Sequence, residues 1–170
     1  SRVKYLQWLR DECTKHGTLL IYDETITAFR FPEYSVAKYL NILPDLWIGG
    51  KAIAGGLPLS VVGGRADVME CDYFVSSTWS GDRMALKAAS VAFDLVHGEY
   101  KPENLWIEGK VFQDAFNAIS PDVQAVGYPT RGIFKYSSEL FKTLFMQEMC
   151  KAGILIGPSW FYNRFLHKEL

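Results

Sequence analysis

The chain has no apolar stretch near the roughly 18 residues that a membrane-crossing helix needs. Its opening, Ser1-Arg2-Val3-Lys4, has no secretory signal pattern. That opening also lacks an initiator methionine and begins inside a helical pattern, so it reads as a processed or partial product. The missing signal therefore carries little weight, and cytoplasmic residence is the expectation. Charge is not gathered into blocks: 18 Lys and Arg against 19 Asp and Glu give a net charge of −1, with no basic run and no acidic tail. This composition recommends neither nucleic acid nor an anionic membrane as a partner. Cysteine is sparse, and Cys13, Cys71 and Cys150 show no C-x-x-C spacing, which argues against a disulfide framework and a zinc site. His16, His97 and His167 form no ligand pair at helical spacing, so no metal site is expected. The pairs Gly55-Gly56 and Gly63-Gly64 lack the context of a nucleotide-binding loop and read as tight turns.

What is present is ordinary globular composition, 49% apolar and 22% charged, which excludes disorder. At 170 residues the chain is long enough for one domain or for a piece of a larger one. The patterning predicts a helix from Val3 to His16 stopped by Gly17, a strand over 19–23, a short helix from Tyr34 to Leu40, and strands over 45–48 and 59–62. A helical turn at 67–70 follows, then a helix from Arg83 to Val96 capped by Ser80 or Asp82. The rhythm then changes: a helix from Pro102 to Ile119, strands over 122–128 and 132–136, a helix over 139–152, and a strand over 153–156. The fold class is α/β, with a small α+β portion at the end. Three buried strands leave edges and faces bare, so strands from elsewhere, upstream or from another chain, must complete the first sheet.

Two of those strands end in charge. Leu19-Leu20-Ile21-Tyr22 runs into Asp23-Glu24, and Asp45-Leu46-Trp47-Ile48 runs through Gly49-Gly50 into Lys51. In open α/β sheets, ligands bind in the crevice beyond the carboxyl ends of strands. An acid and an amine together at that place are the minimum equipment for gripping a pyridine ring and condensing with its aldehyde, as pyridoxal phosphate requires.

The segments themselves carry a family likeness. Leu20-Ile21-Tyr22-Asp23-Glu24-Thr25-Ile26-Thr27-Ala28-Phe29-Arg30 resembles the "LIFDEVMTGFR" segment of class III pyridoxal-phosphate aminotransferases. Pro44-Asp45-Leu46-Trp47 and Gly49-Gly50-Lys51-Ala52-Ile53-Ala54-Gly55-Gly56-Leu57-Pro58 resemble that family's lysine segment. Val62-Gly63-Gly64-Arg65, Ser77-Thr78-Trp79-Ser80-Gly81, Phe145-Met146-Gln147-Glu148-Met149, Gly153-Ile154-Leu155 and Pro158-Ser159 continue it in order. The nearest likeness is to the glutamate-1-semialdehyde aminomutase-like branch. The likeness runs over essentially the whole chain but lacks the family's N-terminal half.

The resemblance implies the C-terminal part of a fold type I transferase. Residues 1–97 would belong to the large cofactor-binding domain, 98–119 to a connecting helix, and 120–170 to an incomplete small C-terminal domain. It implies pyridoxal 5'-phosphate as cofactor, and a small-molecule amino donor and carbonyl acceptor as partners. Lys51 would form the Schiff base and shuttle the proton, and Asp23 would pair with the protonated pyridine nitrogen. Thr25, where the family usually has Val, would offer its methyl to the ring. Thr78 would reach the cofactor phosphate of the neighbouring subunit in a homodimer.

Two further departures stand out. Ile26 replaces a Gln that many members use on the cofactor's phenolic oxygen, although an apolar Met is common in the aminomutase-like branch. Ser80-Gly81-Asp82-Arg83 replaces the usual Ser-Gly-Asn-Pro, which weakens the assignment of Thr78. Glu24 has either a local structural or a site-orienting role, and Arg30 and Arg131 are candidate carboxylate binders or structural pairs. The expected activity is amino-group transfer as an aminotransferase or aminomutase. The alternative is a catalytically silent dimerisation or interaction module.

Overall fold

A computed structural model describes residues 2–70, 72, 74 and 76–162. Cys71 and His167 lie outside them. The chain divides into two compact units, Ser1–Pro102 and Glu103–Leu170.

The first unit opens with helix α1 (Arg2–Lys15). The helix stops where Gly17 turns left-handed, with φ of 63°, while Thr18 N donates to Cys13 O (2.9 Å) and Gly17 N to Thr14 O (3.3 Å). This double closure uses glycine because a Cβ disfavours that backbone conformation. Strand β1 (Ile21–Glu24) is followed by a 3-10 turn at Pro32–Tyr34 and helix α2 (Val36–Leu40). Strand β2 (Leu46–Gly49) leads into a second 3-10 turn, Lys51–Ala54, and then strand β3 (Val61–Gly64). Helices α3 (Ala66–Met69) and α4 (Arg83–His97) complete the unit. Of the two predicted caps for α4 it is Asp82 that serves, its carboxylate accepting from Ala85 N at 2.7 Å.

The sheet order is β1-β2-β3. β1 and β2 run parallel, with Ile21 opposite Leu46 and Asp23 opposite Ile48. β3 returns antiparallel, with Val62 opposite Ile48. Side chains alternate across a strand, so this register gathers Ile21, Asp23, Leu46, Ile48 and Val62 on one face. The other face carries Tyr22, Glu24 and Trp47, and Trp47 packs against the Ile53, Ala54 and Ala89 core with Phe29 and Leu59.

The sequence predicts buried strands; the structure leaves Ile21 50% and Val62 51% exposed. A continuous apolar run reports the burial a strand demands, and the described residues of this chain leave that demand unmet on the Asp23 face.

The second unit comprises α5 (Pro102–Asn117), β4 (Val123–Tyr128), β5 (Arg131–Tyr136), α6 (Glu139–Lys151) and β6 (Ser159–Phe161). Its antiparallel sheet has the order β4-β5-β6. Val123, Ala125, Phe134 and Trp160 form its core, with Phe116, Phe141 and Phe145 packed on it. The edge of β4 is closed by helix side chains: Asn117 both donates to Ala125 O (3.0 Å) and accepts from Ala125 N (2.6 Å), and Gln113 donates to the same carbonyl at 2.9 Å. Ser138 caps α6 through Phe141 N (3.1 Å).

One predicted strand is displaced. Gly153–Ile156 is not a strand, and the pairing partner of β5 is Ser159–Phe161. A three-residue apolar run does not reveal which flanking residues have a ladder to join; here Trp160 supplies the buried anchor and Leu155 points to solvent.

Candidate active site

The site is built at the carboxyl ends of β1 and β2. Asp23 is exposed, and both hydrogen bonds it accepts fall on Oδ1: from Thr25 Oγ1 at 2.5 Å and from Thr25 N at 3.0 Å. Oδ2 accepts none among the described residues. The Thr25 hydroxyl, then its amide, then the charge of Lys51 hold the Asp23 carboxyl below its ordinary value. Asp23 is thus fixed as an anion at neutral pH with one oxygen free to grip a cation.

Lys51 opens the 3-10 turn after β2 with φ of 44°, a left-handed conformation unusual for a lysine. Backbone strain of this kind costs on the order of 1 kcal/mol or more and gathers at functional sites. The glycines before it are required sterically. A Cβ on Gly49 would collide with the Trp47 ring and lie 2.7 Å from Ile53 Cδ1. A Cβ on Gly50 would sit 3.2 Å from the Thr25 methyl. Thr25 therefore serves twice: its hydroxyl holds Asp23, and its methyl lies against the backbone that carries Lys51.

An open groove of about 1150 Å³ runs past these residues, lined by Thr25, Lys51, Ser60, Val62, Trp79 and Ser80 among others. Asp23 joins it through Thr25 rather than lining it. Thr78 is exposed in the turn that ends at Gly81 and does not line the groove, although Ser77, Trp79, Ser80 and Gly81 do. The structure thus brings Lys51 and Thr25 to one groove, with Asp23 joined to it through Thr25, and leaves Thr78 outside the residues that line it.

Glu24 resolves to a structural part. It is 2% exposed and accepts from Val36 N (2.8 Å) and Ala37 N (3.0 Å), fastening the start of α2 to the end of β1. Arg131 lies over the Phe161 ring, 5.6 Å from its centroid, a cation–π contact within the second unit. His97 stacks on Tyr34 at 4.7 Å between ring centroids. Among the described residues no group of His, Cys, Asp and Glu is arranged to hold a metal ion.

Two functional features escaped the sequence reading. The first is the Thr25 hydroxyl, whose signal in the sequence is the Asp-x-Thr spacing of a side-chain turn. The second is Asp45, a buried carboxylate taken up below.

The residues fit a pyridine aldehyde: a fixed anion with a free oxygen, an amine on a strained turn and an open groove alongside. Comparison with known proteins agrees. The class III aminotransferase profile matches residues 1–159. Glutamate-1-semialdehyde 2,1-aminomutase from Syntrophobacter fumaroxidans is 29% identical over 97% of this chain and 43% of its own length. The corresponding enzyme from Opitutus terrae is 33% identical over 96% of this chain and 39% of its own. The chain thus spans about two fifths of the curated relatives it matches. Among solved structures, the Sphingopyxis FumI protein in its PLP internal aldimine form superposes with a TM-score of 0.84 at 20% identity, over 92% of this chain and 40% of that one. Ornithine aminotransferase from Plasmodium yoelii gives 0.79 at 24% identity, over 94% and 46%. These likenesses establish the α/β fold as that of the fold type I transferases, and the profile match extends along nearly the whole sequence: the chain belongs to the class III aminotransferase family.

Proposed function

We propose that this protein transfers an amino group between an amine or amino acid and a carbonyl substrate, as a pyridoxal-phosphate-dependent aminotransferase or aminomutase. The observation that carries the proposal is the pairing of an anionic Asp23 with a lysine on a strained turn at the adjacent strand end. Pyridoxal phosphate, when bound, supplies an electron sink that weakens a bond at the substrate Cα.

The chain's own residues do the rest. Lys51 Nζ would hold the cofactor at its aldehyde carbon, and its amine is the group placed to take a proton from the substrate Cα and return it. Asp23 Oδ2 would favour the protonated pyridine nitrogen, because an adjacent anion favours the charged ring. Thr25 locks Oδ1 so that the free oxygen keeps its direction, and its methyl would be offered to the ring. Thr78, exposed and outside the lining of its own groove, fits a role at the phosphate of a neighbouring subunit, so the proposed working form is a homodimer. The residence proposed is cytoplasmic; among the described residues no helix is long and apolar enough to cross a membrane.

Titrating the full-length protein with pyridoxal phosphate should produce a visible absorbance band that Lys51→Ala abolishes. Retention of the band in that variant would remove Lys51 from the role.

One observation favours a second reading. The uncovered face around Ile21 and Val62 suits a chain that acts as an interaction module and is catalytically silent alone. Tight, stoichiometric cofactor binding by the 170-residue chain on its own would refute that reading.

A further inference from the structure

Asp45 lies at the opposite end of β2 from Lys51 and is 4% exposed. Its carboxylate takes three hydrogen bonds: Leu20 N (2.7 Å) and Arg10 Nη1 (2.7 Å) donate to Oδ2, and Arg65 Nη1 (2.8 Å) donates to Oδ1. Its backbone repeats the connection, with Asp45 N donating to Leu20 O (2.8 Å) and Asp45 O accepting from Arg65 N (2.9 Å). One residue therefore ties α1, the entry of β1, the entry of β2 and the exit of β3. The Leu20 amide foremost, then the two guanidinium groups, hold its carboxyl well below the usual carboxylate range.

A fixed point of this kind matters for a parallel pair. β1 and β2 share only four residue pairs and no hairpin turn sets their register. A slip of one residue would move Asp23 about 3.3 Å along the strand and turn its side chain to the other face. Misplacement by about 1 Å is enough to cost roughly a hundredfold in a positioned site.

We propose that Asp45 is a positioning residue: its carboxylate fixes the register of β1 against β2 and so holds Asp23 in line with Lys51. The inference rests on the proposed function and deepens it. Asp45 touches neither cofactor nor substrate and acts through Leu20 and β1.

The test uses the full-length protein with pyridoxal phosphate as probe and three variants, with Asp23→Asn as the reference for a lost carboxylate at the ring nitrogen. Asp45→Asn removes the charge while keeping the shape. Arg65→Gln removes one of the three bonds to Asp45, together with two to the exposed Asp67, and leaves Leu20 and Arg10 in place, so folding is retained. Ser138→Ala removes the α6 cap in the second unit, which lowers stability without removing a bond to β1 or β2. Two readouts are taken: the pH profile of the bound-cofactor absorbance band, and hydrogen exchange at the Leu20 and Ile21 amides of the cofactor-free protein.

In Asp45→Asn and Arg65→Gln the profile should move toward that of Asp23→Asn. Cofactor affinity should fall roughly tenfold, and exchange at both amides should quicken. Ser138→Ala should melt earlier with band and affinity as in wild type. A folded Arg65→Gln with wild-type profile and affinity overturns the inference, as does a displacement of equal size in Ser138→Ala. A wild-type protein that forms no band with the cofactor sinks the functional reading instead, which separates the two failures.

Discussion

Replacing Glu24 by glutamine should cost stability while sparing cofactor binding. The Glu24 carboxylate is buried and gives one oxygen to Val36 N at 2.8 Å and the other to Ala37 N at 3.0 Å. Hydrogen bonds to a charged group contribute about 1.5–3 kcal/mol each, and a buried N–H left unmet costs a similar amount. Glutamine keeps one carbonyl oxygen and sets an NH₂ group against the second donor. One charged bond is lost and the other is weakened to a neutral one, so the expected cost is about 2–3 kcal/mol. For a unit of this size that corresponds to a melting point about 10–20 °C lower. Glu24→Ala, which strips both amides of their acceptor, should lose about 3–5 kcal/mol. Urea unfolding of wild type and both variants, followed by circular dichroism, measures these differences. A Gln variant within about 0.5 kcal/mol of wild type, the range of ordinary surface substitutions, would refute the assignment of Glu24 as the fastener of α2. So would a Gln variant of native stability that no longer binds pyridoxal phosphate.

Gly49→Ala should destabilise the first unit by about 1–3 kcal/mol, because its new methyl meets the Trp47 ring and the buried Ile53 side chain; denaturant unfolding checks it. In the second unit, Asn117→Ala strips the edge of β4 of a side chain that both donates to and accepts from Ala125. It should cost about 1–3 kcal/mol, read by the same titration and by faster exchange at the Ala125 amide. Asp45 has its folded carboxyl depressed, so its contribution is present above the ordinary unfolded value near 3.9 and is lost as pH falls below it. Wild-type stability should therefore drop on acidification below about pH 4, and the Asp45→Asn profile should be flatter over that range.

Much of this architecture was legible because local rules and tertiary need agree. Gly17 ends α1, Asp82 caps α4, and the charged ends of two apolar runs mark the strand ends that carry Asp23 and Lys51. Other features were hidden because they depend on partners far along the chain. Nothing local distinguishes Asp45 from an ordinary strand-entry aspartate; its value comes from Arg10 and Arg65, 35 and 20 residues away. Glu24 reads as a second candidate acid until α2 folds back onto it. The last strand was misplaced because 153–156 has the more apolar run, while Trp160 has the ladder. The exposed Ile21 and Val62 show the converse: the sequence states a burial requirement that the described residues of the chain do not meet.

The account depends on a covalent bond between one amine and the cofactor. Full-length protein saturated with pyridoxal phosphate, reduced with borohydride and mapped by peptide mass spectrometry, tests that bond directly. The label should fall on the peptide carrying Lys51 and be absent from Lys51→Ala. Stoichiometric label on a different lysine, or none on a protein that binds the cofactor, would contradict the account.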